Sequence, residues 1–377
     1  MPIHQQLLEI IEKEHKQLDS WFKSKYSGHK PLFYTSVDIR DSGHKIVPVD
    51  TNIFPAGFNN LSPRAYENAS SIIDQFLSSF AEHKKILILQ ENIDRNPFYT
   101  KNIETLCKLI TDTDKIVKVC KIEDASRDED RLLFADFDPD IVILNHDLTS
   151  GVPDVLANCS QSIIPSPELG WFNRRKSHHF ALYNQVIEDF CYTFGLKKEF
   201  LSAAFYECPL VDLMNQLGLD CIANKVDKML FTLNRQYEAH GSKDKPYAFI
   251  KSDKGTYGMG ITTLNSGDEI YNMNRSLRKK MGVIKSGVKN SCVLIQEGIK
   301  TINTYKGHVA ENMIYLVAGQ VVDSILRVNK ERSALENLNR QGAEFVSTMD
   351  IAPGDYNGNV VCYNLVARLA SLAASLE

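Results

Sequence analysis

Between His4 and Tyr26, apolar side chains fall at Leu7, Leu8, Ile11, Leu18, Trp21 and Phe22, the spacing of one buried helix face. Leu32–Val37 and Lys45–Val49 read as strands, followed by the irregular polar stretch Asp50–Asn60. Ser62 and Pro63 make a helix start: a hydroxyl that can cap free N–H groups, then a residue that lacks one. Ile72, Ile73, Phe76, Leu77 and Phe80 carry that helix to about His83. Beyond it the pattern alternates, with strands at Lys85–Gln90, Ile116–Val119 and Ile141–Leu144 and a helix at Thr100–Ile110. Short aliphatic strands separated by helices predict an α/β fold, with a mostly parallel sheet in an N-terminal domain of residues 1–165. The charged stretch Glu123–Arg131 reads as a solvated loop or helix face. Residues 166–245 predict a largely helical connecting region, clearest at Cys221–Tyr237. After the polar turn Gly241–Pro246, residues 246–377 change to strands at Tyr247–Lys251, Gly260–Leu264, Cys292–Gln296, Val309–Val317 and Val321–Val328. A small-residue helix, Val360–Leu376, follows.

Hydrophobic residues at 43% and charged residues at 24% can build a real core. The longest aliphatic runs fall far short of the roughly 20 residues of a membrane span. Met1–Lys16 alternates charge with aliphatics, unlike a secretory leader. With 43 Lys plus Arg against 47 Asp plus Glu, the net charge is −4, so no basic footprint for nucleic acid is present. The expectation is a soluble cytoplasmic protein acting on small molecules, with no nucleic-acid or membrane partner and no sequence signal for its oligomeric state. Eight cysteines contain no C-x-x-C and no histidine at zinc spacing, which predicts reduced, buried thiols.

The most informative stretch is Tyr247–Ile261. Gly255, Gly258 and Gly260 allow close backbone approach, which suits a cradle for phosphate oxygens. A P-loop or dinucleotide fingerprint would open a helix. Here β-prone Ile261–Leu264 follows, so the loop joins two strands, with Lys251 at the end of the first. That order fits a flap closing over ATP phosphates; a plain hairpin is the alternative. Downstream, Val293–Ile299 runs into Gln296 and Glu297, which suit an adenine edge and a ribose hydroxyl. Glu311–Asn329 reads as two strands ending in Arg327, whose fork suits a phosphoryl group or carboxylate. Asn329, Asn337 and Asn339 offer oxygen ligands for Mg2+.

An amino-acid substrate needs cations for its carboxylate and acceptors for its ammonium. Asp38, Arg40, Asp50, Asn52, Asn59 and Asn60 supply such groups, although each alone can simply close a turn. Arg174, Arg175 and Lys176 form a positive run, for a carboxylate or merely for solvent. His178 and His179 lack metal spacing and read as structural. Glu91, Arg95 and Asn96, like Asn145–Asp147, follow buried strands and can reach a cleft.

The order strand-Lys, glycine hairpin, strand-Gln-Glu, hairpin ending in Arg and Asn, over Tyr247–Ala343, resembles the ATP-grasp ligases. Through Phe33–Arg40, Pro48–Leu61, Lys251–Gly260 and Glu336–Ala343, the whole chain resembles the proteobacterial glutamate–cysteine ligase family. The Pro48–Leu61 string is the most specific of these. The resemblance implies a C-terminal ATP-grasp-like α+β module and phosphorylation of the glutamate γ-carboxylate by ATP. Attack of the cysteine amine on the acyl phosphate would follow, in the first step of glutathione biosynthesis. It implies Lys251, Gly255, Thr256, Gly258 and Gly260 at the phosphates, Gln296 and Glu297 beside adenosine, and Lys251 and Arg327 as the catalytic cations. ATP-grasp enzymes usually carry a late Asp or Glu followed by Glu-x-Asn as metal ligands. No Glu-x-Asn stands at this place, so Glu311 or Asp323 is expected to join the asparagines. Another ATP-dependent carboxylate–amine ligase and a nucleotide-binding protein without chemistry remain as alternatives.

Overall fold

The computed structural model describes residues 1–80, 84–92, 96–255, 261–283 and 290–377. Only Ser42 to Lys45 separate the strands Tyr34–Asp41 and Ile46–Asn52, and so short a connection can join only antiparallel neighbours. These two strands therefore stand apart from the parallel sheet expected around them. Tyr34–Asp41 pairs along His308–Val317, which continues through Gln320–Asn329 to Ala343–Ser347, while Thr304–Tyr305 pairs beside His308–Val317. The resulting six-stranded antiparallel sheet takes strands from the first and the last of the three sequence segments.

One face of this sheet packs Val37, Ile39, Ile46, Ile314 and Leu316 against the helices Lys176–Phe194 and Val360–Ala374. The opposite face turns Asp38, Arg40, Glu311 and Arg327 toward a cavity.

The parallel sheet is Ile116–Lys121, Lys85–Gln90, Ile141–Asn145 and Ser162–Ile164, in that order. Its two central strands are apolar on both faces, as sheets covered on both sides require. The helices Pro63–Ser78 and Pro97–Thr111 cover one face, and Ser62 caps the first by accepting from Ala65 N at 3.2 Å.

A third sheet, Thr262–Leu264, Ala248–Ser252, Cys292–Glu297 and Phe205–Pro209, is antiparallel and packs on the helix Leu219–Ala239. Register sets Ala248 against Leu264 and Ile250 against Thr262, so the glycine-rich turn connects two strands of a hairpin. Phe205–Pro209 lies in the region expected to be helical. It is a five-residue edge strand ending in proline, too short to show a period of two. The first helix divides at Glu14 into Ile3–Lys13 and His15–Lys25, and the charged stretch near residue 128 contains a small hairpin, Ser126–Asp128 with Arg131–Leu133. All eight cysteines are free. Among the described residues no helix is long and apolar enough to cross a membrane.

Candidate active site

All three sheets contribute to one cavity of about 350 Å3. Its floor is the polar face of the central sheet, where register places Asp38 opposite Asp50 and Glu311 opposite Arg327. Arg327 donates to Asp38 at 2.9 Å and to one oxygen of Glu311. The other Glu311 oxygen receives Nε and Nη2 of Arg40, each at 3.0 Å. Arg40 spends its remaining donors on the carbonyls of Ile299 and Glu336.

Burial alone raises a carboxyl pKa, and neighbouring charges decide the outcome. Asp38 is raised: burial dominates, Arg327 opposes it, and Glu311 and Asp50 add to the rise. At Glu311 burial pushes the same way, but Arg40 and Arg327 together hold the group below its ordinary value. Asp50 is also held low against burial, by Lys176, whose Nζ lies 2.5 Å from Oδ1, and by Lys251. The opposed carboxyls Asp38 and Asp50 are thus displaced in opposite directions, and any added cation between them would favour ionisation of both.

Lys251 enters from the third sheet and donates to the Val49 carbonyl at 2.8 Å. Burial lowers its pKa to about 8, with Asp50 opposing and Lys176 adding to the fall. Gly255 lines the cavity with a φ of 91°, a left-handed value that favours glycine. Gln296 lines it too. The Gln296 amide nitrogen and Arg327 Nε are buried without a partner among the described residues, leaving two donors for an acceptor to satisfy.

The third wall carries the Asp50–Asn60 loop. Gly57 N and Phe58 N donate to Asn102 Oδ1 at 2.8 and 2.9 Å, Tyr315 donates to the Ala56 carbonyl at 2.7 Å, and Asn145 donates to the Pro55 carbonyl at 3.1 Å. A side chain at Gly57 would collide with the Tyr315 hydroxyl. Helix, central sheet and parallel sheet therefore fix this loop, and with it Asn52, Asn59 and Asn60 on the cavity wall.

The glutamate-cysteine ligase (GshA) family model matches residues 9–129 and 118–377. The chain belongs to the glutamate-cysteine ligase family. It is 33% identical to a candidate gamma-glutamylcysteine synthetase from Methylobacillus flagellatus KT, whose crystal structure aligns over 98% of this chain and 94% of that one with a TM-score of 0.87. A glutathione synthetase-like effector from Globodera pallida aligns over 91% of this chain and 80% of its own, at 12% identity and a TM-score of 0.39. No curated protein matches the sequence. As a member of this family, the protein is an ATP-dependent ligase that joins glutamate to cysteine.

In this ligase the expected substrate residues divide. Asp38, Arg40, Asp50, Asn52, Asn59 and Asn60 line the cavity, whereas Arg174 and Arg175 do not. Arg174 is buried, forked onto Glu377 at 2.6 and 2.8 Å and bonded to the Thr51 carbonyl, because a buried cation must pair locally; Arg175 is exposed. Glu297 turns away from the cavity. Lys45 at 2.7 and 2.9 Å, Ala204 N at 2.9 Å and Tyr237 at 3.1 Å occupy its carboxylate, leaving it no hold on a ribose. Among the expected metal ligands, Asn337 and Asn339 line the cavity, but both oxygens of Glu311 are taken by arginines. Asn329 is fully buried and ties the carbonyls of Leu338 and Gln341, and Asp323 accepts from Ser62 N, Ser324 N and Ser347.

Thr256, Gly258, Gly260 and Arg95 lie outside the described residues. The cavity also includes Lys254, Trp171 and Phe249, which sequence reasoning did not select. Lys254, three residues after Lys251 in the same glycine-containing stretch, was within reach of that reasoning. The two aromatics carried no distinguishing signal.

Proposed function

We propose that the cavity holds the ATP phosphates at Lys251 and Gly255, the base side at Gln296, and the glutamate γ-carboxylate at Arg327. Mg2+ is carried by Asp38, Asp50 and Asn52. The ATP-grasp resemblance implies an acidic residue followed by Glu-x-Asn late in the chain; a related set with Asp in place of Glu, Asp38 and Asp50-Thr-Asn52, stands near its start. Sheet pairing sets that hairpin directly beside the strand of Glu311 and one strand from that of Arg327, which supports the assignment. The donor set fits: two opposed carboxylates and an amide oxygen, all hard oxygen ligands, with room left for water and phosphate. Bound there, the ion supplies neutralisation of phosphate charge.

The protein's own groups then position and stabilise. A γ-carboxylate oxygen attacks the terminal phosphorus of ATP and ADP leaves. The cysteine amine attacks the acyl carbon, losing a proton, and phosphate leaves. Arg327, which lines the cavity, compensates the charge that builds on these oxygens. No protein nucleophile is needed, because orientation and charge compensation carry the barrier reduction. Eight free thiols suit action in the reducing cytoplasm.

The observation that carries this reading is the meeting of Lys251, the Asp38–Asp50 pair and Arg327 around one cavity. The test is purified protein with Mg·ATP and each amino acid singly and in pairs, followed by ADP release and product mass. ADP and γ-glutamylcysteine with glutamate plus cysteine are expected. Asp50→Asn should raise the Mg2+ concentration needed for half-maximal turnover at least about tenfold; an unchanged requirement removes Asp50 from the metal site.

A further inference from the structure

The strand Ile46–Asn52 carries Asp50 and Asn52, two of the three groups assigned above to Mg2+, yet it is the edge of the six-stranded sheet. Among the described residues only Tyr34–Asp41 pairs with it. Register adds a second weakness. Asp38 faces Asp50 and Ile39 faces Pro48, so Val49 is an extra residue with nothing opposite, and Pro48 has no N–H to give the ladder. A bulged edge strand is a loose mount for ligands that must hold their place to within about 0.5 Å.

Side chains stand in for the missing strand. Lys251 Nζ donates to the Val49 carbonyl at 2.8 Å and Arg174 Nη1 to the Thr51 carbonyl at 2.7 Å. Between them Lys176 Nζ meets the Asp50 carboxylate at 2.5 Å. Thr51 is buried, and an unpaired carbonyl there is costly.

Arg174 differs from the two lysines. They line the cavity and it does not, so its role is directed at the strand and not at a substrate. It is also fixed from behind. The two Glu377 oxygens accept from its Nε and Nη2 at 2.6 and 2.8 Å, His179 Nδ1 lies 2.7 Å from Glu377 Oε1, and the guanidinium lies 4.8 Å from the Trp171 ring centre. The residues that follow are anchored too. Lys176 N donates to the Asp253 carbonyl at 2.8 Å, and Ser177 N and Oγ donate to the Asp253 carboxylate at 2.7 and 2.8 Å. Asp253 stands two residues beyond Lys251, so the start of the helix Lys176–Phe194 is tied to the stretch that carries Lys251.

A planar guanidinium whose fork is committed to one carboxylate has its remaining donor aimed in a fixed direction. We propose that Arg174 is a positioning residue for the metal site: by holding the Thr51 carbonyl it sets Asp50 and Asn52, the residues on either side, in the places from which they reach Mg2+. This role rests on the metal assignment proposed above.

Two variants test it. Arg174→Met combined with Glu377→Gln removes the guanidinium without stranding a buried carboxylate. Arg174→Lys keeps a cation for Glu377 but lacks the fork that spans both partners, so the neutral carbonyl is given up. Glu377→Gln alone, which keeps Arg174, is the comparison, and each is checked for folding by circular dichroism and thermal unfolding. Hydrogen–deuterium exchange of the free proteins, read by mass spectrometry, should be at least about tenfold faster over residues 46–52 in both Arg174 variants than in Glu377→Gln, and unchanged over Pro97–Thr111. In steady-state kinetics the Mg2+ concentration for half-maximal turnover should rise about tenfold in the Arg174 variants, with glutamate and cysteine KM values within about threefold of wild type and kcat recovered at saturating Mg2+. Exchange over residues 46–52 that keeps the wild-type rate, or that rises equally everywhere, overturns the proposal. A glutamate KM that rises while the Mg2+ requirement stays the same overturns it as well, because Arg174 would then act on the substrate. If exchange over residues 46–52 rises but Asp50→Asn also leaves the Mg2+ requirement unchanged, the metal assignment fails and the hold of Arg174 on the strand stands.

Discussion

The depressed pKa of Lys251 makes ATP binding dependent on pH in a calculable way. Burial favours the neutral amine and lowers the pKa to about 8 in the free protein. Phosphate oxygens favour the ammonium, so binding must draw a proton to Lys251 and weaken as pH rises through 8, with little change below 7. At pH 7 about nine-tenths of the groups are charged and at pH 9.5 only about one in thirty, so affinity should fall about thirtyfold if only the ammonium binds. Calorimetric titration with Mg·ATP, without amino acids so that the cysteine thiol and amine do not titrate, measures this directly. Repeating it in buffers of different ionisation enthalpy counts the protons, with nearly one expected per ATP at pH 9. Lys251→Arg keeps its charge throughout this range and should flatten the profile. Constant affinity from pH 7 to 9.5, or the same decline in the arginine variant, would falsify the placement of Lys251 at the phosphates.

Arg327→Lys should lower kcat about a hundred- to a thousandfold with little effect on the ATP KM, because charge is kept while the directed fork is lost; steady-state kinetics with ATP varied would show the reverse if Arg327 served only nucleotide binding. Lys45→Met breaks the buried pair with Glu297 and should cost about 3–5 kcal/mol in urea unfolding, chiefly through the carboxylate left unpaired. A stability unchanged by that substitution would mean that the pair is not structural. Glu377 is held below its ordinary pKa by Arg174 and His179 against the upward push of burial, so its contribution is present above about pH 4.5 and is lost as pH falls below it. Glu377→Gln should therefore lower Tm most at pH 7, and the gap from wild type should begin to narrow below about pH 4.5 and shrink progressively with further acidification.

Elements with a strong period were readable from the chain. Lys85–Gln90 ends where expected, and Ser62 caps its helix as its position before Pro63 implied. Short edges were not: Phe205–Pro209 and Ala343–Ser347 have five residues each, and only pairing with a neighbour defines them. At the site, the Asp50–Asn60 cluster, Lys251 and Arg327 were legible as polar groups beside strands. Arg174 and Glu297 misled because composition does not show which charges find internal partners. Lys45 is 252 residues from Glu297, and Arg174 is 203 from Glu377.

The same distance in sequence bears on where the proposed Mg2+ ligands lie. Reading forward from Arg327, the chain offers asparagines but no Glu-x-Asn; reading the sheet sideways, the next strands after His308–Val317 are Tyr34–Asp41 and Ile46–Asn52. Neighbourhood in an antiparallel sheet is set by hydrogen-bond pairing and does not require neighbourhood in sequence, so a hairpin near the start can fill the place that a later one would take. The floor then alternates in sign, with Asp38, Arg327, Glu311 and Arg40 each bonded to the next. Such a buried chain of charges adds little net stability over an apolar packing. What it supplies is orientation: Glu311 holds both guanidiniums at the cavity floor, and Arg327 Nε is left without a partner among the described residues. The charges lie where the proposed reaction builds negative oxygen, and that geometry links the fold to the chemistry.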